Sequence, residues 1–81
     1  MKPMHPRKRC AKIIRECEQM IRDTEFWNKI NPNEQPLDCE IERVVLPVAR
    51  RCLAAWGAGD MTLVGELSAQ MVEVATSEEN P

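Results

Sequence analysis

Two stretches rich in helix breakers, Asn31-Pro32-Asn33-Glu34-Gln35-Pro36 and Gly57-Ala58-Gly59, cut this chain into three segments. In each segment the apolar residues recur at helical spacing. Over about Arg7 to Trp27, the residues Cys10, Ile13, Ile14, Cys17, Met20, Ile21 and Trp27 fall on one stripe, and the charged residues fall mostly elsewhere. This pattern predicts an amphipathic helix. After the first break, Asp38 is expected to N-cap a second helix over about Cys39 to Trp56, with Glu40 adding favourable charge in its first turn. Ile41, Val44, Val45, Val48, Cys52 and Ala55 form its apolar stripe. Pro47 lies inside that helix and cannot donate to the carbonyl of Arg43, so a kink near Leu46 or two short helices are expected. Asp60 caps a third helix over about Met61 to Ala75, with Leu63, Val64, Leu67, Met71 and Val74 on its apolar side and Gly65 weakening it.

The predicted fold class is therefore all-α: a small three-helix bundle, its second helix kinked or broken at Pro47. At 81 residues the chain makes one domain, and 43% hydrophobic residues suffice for a small core. Aromatics amount to 4%, which argues against a β-sandwich or barrel. The expected organisation is a flexible basic arm over 1–6, a helical domain over 7–76 and a polar tail over 77–81. A chain this short buries a limited share of its surface, so a homodimer stands as an alternative to a monomer.

The net charge of −2 conceals a gradient: +6 over residues 1–15, −3 over 16–51 and −5 over 52–81. No apolar run approaches the roughly 18 residues of a membrane span. The basic N-terminus is not followed by the apolar stretch of a secretory signal. A cytoplasmic location, with no membrane partner, is the expectation.

The four cysteines, Cys10, Cys17, Cys39 and Cys52, admit three readings. Structural zinc is usually held by close pairs of thiolates, and the spacings here form no such knuckle. Disulfides are the second reading. In an antiparallel hairpin Cys10 would face Cys52 and Cys17 would face Cys39, but straight helices separate these thiols by about 10 and 20 Å along their axes and cannot align both pairs. The third reading, which ranks first, places Cys10, Cys17 and Cys52 in the core as small hydrophobic residues. Cys39 is the exception. In the first turn of a helix the dipole lowers a thiol pKa, while Asp38, Glu40 and Glu42 raise it.

No motif implies a cofactor, a metal or catalysis. His5, the only histidine, sits on the presumed arm without a partner, and general acid–base work needs a positioned group. Gly57-Ala58-Gly59 is too short for a phosphate loop. Trp27 and Trp56 end the first two helices and would close the core at opposite ends, while Phe26 cannot share the face of Trp27 and is expected at the surface.

The leading expectation is a non-enzymatic helical protein that acts by binding another protein, as a regulator, inhibitor or adaptor. The candidate partner surface is Arg7, Lys8, Arg9, Lys12, Phe26, Arg50 and Arg51, with the basic stretch extending to Arg15. The alternative is nucleic-acid binding through the basic N-terminal arm. The third helix carries Glu66 and Glu73 with no Lys or Arg, and would repel phosphates. A cysteine-based metal or redox role is the second alternative.

Overall fold

A computed structural model describes residues 4–77 as three helices: α1 (Pro6–Ile30), α2 (Glu40–Ala58) and α3 (Met61–Ser77). Residues 1–3 of the expected arm and 78–81 of the expected tail lie outside the described residues. The three-helix bundle read from the sequence is the fold of the protein.

α1 is longer than its apolar stripe indicates. Pro6 occupies the first turn, where its missing N–H costs nothing, and His5 is the N-cap, its Nδ1 accepting from the backbone N–H of Arg7 at 3.1 Å. The His5 ring meets the Trp56 ring edge-on, with centroids 5.4 Å apart. His5 and Pro6 therefore belong to the helical domain, not to an arm. At the other end Asn31 closes the helix, its backbone N–H bonded to the Trp27 carbonyl. The Asn28 side chain then clasps the loop in both directions: it accepts from the Leu37 N–H at 2.8 Å and donates to the Leu37 carbonyl at 3.2 Å.

The start of α2 differs from expectation by one residue. Cys39, not Asp38, is the N-cap, and it makes no side-chain capping bond. Asp38 does its work from one position earlier, accepting from the Glu40 N–H at 2.9 Å. α2 runs without interruption through Pro47, which excludes two separate helices. Burial of Val45, Leu46, Val48 and Ala49 on either side of the proline outweighs the hydrogen bond it removes. The helix ends at Gly59 in the left-handed conformation, φ 75°, which glycine adopts without steric penalty. Asp60 begins α3 as predicted, its carboxylate accepting from the Leu63 N–H at 3.1 Å.

α2 is the central element. α1 packs antiparallel on one side of it: the Cys10 thiol donates to the Ala49 carbonyl at 3.1 Å near one end, and Glu25 meets Arg43 near the other. α3 packs antiparallel on the other side, with Val64 and Leu67 against Cys52 and Ala55. Because α2 faces two neighbours, its buried arc is wider than the predicted stripe and turned away from it. Leu46 and Ala49 are in the core, whereas Val44 is 43% exposed. On α1, Met20 is likewise exposed and Thr24 is buried instead. α1 and α3 run parallel, and no Cα of one comes within 8 Å of a Cα of the other. The radius of gyration, 14.9 Å, exceeds the roughly 12 Å of a fully compact chain of this length, because α1 alone is about 37 Å long.

Candidate functional site

The separation of α1 from α3 leaves a groove with α2 as its floor. Toward the N-terminal end of α1 the groove holds a cleft of about 240 Å³, lined by Pro6, Arg9, Cys10 and Ile13 of α1, Cys52 and Trp56 of α2, and Ser68, Met71 and Val72 of α3. Among the described residues Arg9 is its only charged lining residue. Ile13 also lines a second recess, farther along α1, with Cys17, Met20, Ile41 and Val45 as apolar walls and Glu16 and Glu42 at the rim. The first cleft is thus largely apolar with a cation at its rim, and the second recess, walled by α1 and α2 and touching the first at Ile13, has an anionic rim. Val72, on the α3 side, is 66% exposed.

The thiols define the floor of the first cleft. Cys10 and Cys52 are 4% and 1% exposed and belong to one core cluster with Ala49, Val64 and Leu67. All four cysteines are free and buried. Cys10 meets α2 at Ala49, one helical turn from Cys52, and shares a buried cluster with Cys52, as expected of the antiparallel hairpin. Cys17 packs with Val45 and Leu46. Cys52 also lies 3.7 Å from the Ser68 hydroxyl and 3.9 Å from the Val64 carbonyl.

Burial, and then the neighbouring Cys52, push the Cys10 thiol from its ordinary 9.0 up to about 11. Burial, followed by Glu42 and Glu16, also pushes Cys17 up. These thiols are the opposite of activated nucleophiles. The Cys10 shift has a stability consequence. Its folded pKa lies above its unfolded one, so the folded state holds the proton more tightly. The corresponding stability is fully present below pH 9 and is lost as the pH rises toward 11. Alkaline melts followed by circular dichroism should show this decline, and Cys10→Ala should flatten it.

The basic residues proposed from the sequence are all at the surface, but they do not make one patch. Arg7, Lys8 and Arg9 are consecutive on α1 and fan out about 100° apart around it, so only Arg9 reaches the groove. Lys12 pairs with Glu16 at 3.7 Å, both exposed, which contributes little. The antiparallel packing brings Arg50 and Arg51 to the same end of the bundle as Arg7–Lys12, through the contact of Cys10 with Ala49. Those two arginines also diverge around their helix, and Arg51 lines a separate shallow recess with Ala54, Ala58 and Asp60. Phe26 is 64% exposed, as expected, but lies about 21 Å along α1 from Lys12. Arg43, which meets Glu25 at 3.0 Å, has its guanidinium pKa raised by Cys39 and then Glu25.

Sequence reasoning missed Ser68 and the groove itself. Ser68 follows Leu67 out of the apolar stripe, and only the α2–α3 packing places it beside Cys52. Among the described residues, no group of three or more His, Cys, Asp or Glu side chains is placed to hold a metal. No described helix is long and apolar enough to cross a membrane. No protein-family model, curated protein sequence or solved structure matches the chain.

Proposed function

We propose that this protein acts by binding another protein, and that its α1–α3 groove receives an amphipathic helix whose acidic end lies over Arg9. The observation that supports this reading is the cleft itself: a largely apolar trough between two helices whose backbones stay more than 8 Å apart, with Arg9 as the one cation among the described residues that line it. A helix laid there would bury Ile13, Trp56, Met71 and Val72 against its apolar face, as helix-in-groove recognition requires. Arg9 makes no ion pair with any described residue, so its charge is free to select the partner. The fanning of Arg7, Lys8 and Arg9 around α1 favours this reading over nucleic acid, which needs cations gathered along one face.

The probe is a designed amphipathic peptide with glutamates at one end, compared with the same peptide carrying lysines there. The acidic peptide should bind the full chain and the basic one should not. Arg9→Glu should weaken binding of the acidic peptide by on the order of tenfold, and added salt should do the same in part. Equal binding of both peptides, or binding indifferent to Arg9→Glu, sinks the assignment.

A further inference from the structure

We propose that Cys10, Cys52 and Met71 form a site for a soft monovalent cation of the copper(I) class, with the two thiolates as principal ligands and the thioether as the third. The three sulfur residues come from three different helices and line one cleft. Cys10 and Cys52 belong to one buried cluster, and Met71 packs against it.

The donor set selects the ion. Among the described residues neither a carboxylate nor an imidazole lines the cleft, so these offer nothing to calcium or magnesium and only half of what structural zinc requires. Two thiolates and a thioether are soft donors, and such donors favour copper(I). A monovalent d10 ion is satisfied by two or three of them. Its complex with two thiolates carries one net negative charge, and Arg9 is the cation at the cleft to offset it. Ile13, Trp56 and Val72 supply apolar walls around the ion. Binding involves no change of oxidation state: two S–H bonds are broken, two metal–sulfur bonds form, and two protons pass to solvent for each cation taken up. The proposal does not rest on the groove's receiving a helix.

The test is an anaerobic titration of the reduced full chain with copper(I) buffered by a competing chelator, read by native mass spectrometry, proton release and tryptophan fluorescence. One cation per chain is expected, with two protons released and a change in Trp56 emission. Cys10→Ala combined with Cys52→Ala should abolish uptake, and Cys17→Ala with Cys39→Ala should leave it intact. Met71→Leu conserves volume and so preserves the fold, and it should weaken affinity by on the order of tenfold. The proposal is overturned if the unaltered chain takes up no copper(I), or if the Cys10/Cys52 double variant or Met71→Leu binds as well as the parent. A metal-free product lighter by two hydrogens, with a Cys10–Cys52 disulfide, overturns it as well.

Discussion

Replacing Leu67 by alanine lowers the stability of the bundle by about 3 kcal/mol. Leu67 is 3% exposed and packs from α3 into the cluster of Cys10, Val48, Ala49, Cys52, Ala55 and Val64. The truncation removes apolar burial and leaves a cavity that rigid helices cannot close. Besides Leu67, the apolar residues that α3 brings to this cluster are Val64 and half-buried Leu63 and Met71, so little redundancy exists. For a domain of this size the midpoint of thermal unfolding should drop by roughly 15 °C. Val72→Ala, at a position 66% exposed on the same helix, is the control and should cost about 0.5 kcal/mol or less. A Leu67→Ala variant that melts with the parent would contradict the placement of α3 on α2.

Pro47→Ala has the opposite sign. Pro47 lies in the middle of α2 and is exposed, so its ring contributes little packing. A proline in a helix interior costs about 3 kcal/mol relative to alanine, through the lost hydrogen bond and the clash with the preceding turn. Part of this is recovered in the parent, because proline restricts the unfolded chain by up to about 1 kcal/mol. The substitution should therefore stabilise the protein by about 2 kcal/mol, visible as a higher urea midpoint with an unchanged denaturant slope. A loss of stability would mean that α2 needs the proline to meet both neighbours.

Much of this fold is legible in the chain. Asp60 and Gly59 announce the α2–α3 junction by residue type, and both act there as that chemistry dictates. The facing of Cys10 and Cys52 follows from antiparallel packing of two stripes. What is not legible depends on distances that periodicity does not encode. His5 reads as part of an arm because its contacts are the backbone N–H of Arg7 and a tryptophan 51 positions away. Val44 and Leu46 exchange roles because α2 is squeezed from two sides. Of the kink or break expected at Pro47, the break into two helices is absent, a local rule being outweighed by apolar burial on both flanks. The groove arises from the gap between α1 and α3, and each of those helices carries an ordinary amphipathic stripe that gives no hint of it. The charge gradient is read directly from the sequence, yet which cation faces an apolar surface is decided by one helical turn, in favour of Arg9.

Under the proposed function the groove is the surface that meets the partner. The most direct test of this is an amide and indole NMR titration of the ¹⁵N-labelled full chain with the acidic-ended amphipathic peptide. Shifts should gather on Arg9, Ile13, Ser68, Met71 and the Trp56 indole N–H, while Trp27 and Phe26 stay still. Shifts centred on Phe26 or on Arg43 and Arg50, or no shifts at all, would contradict it.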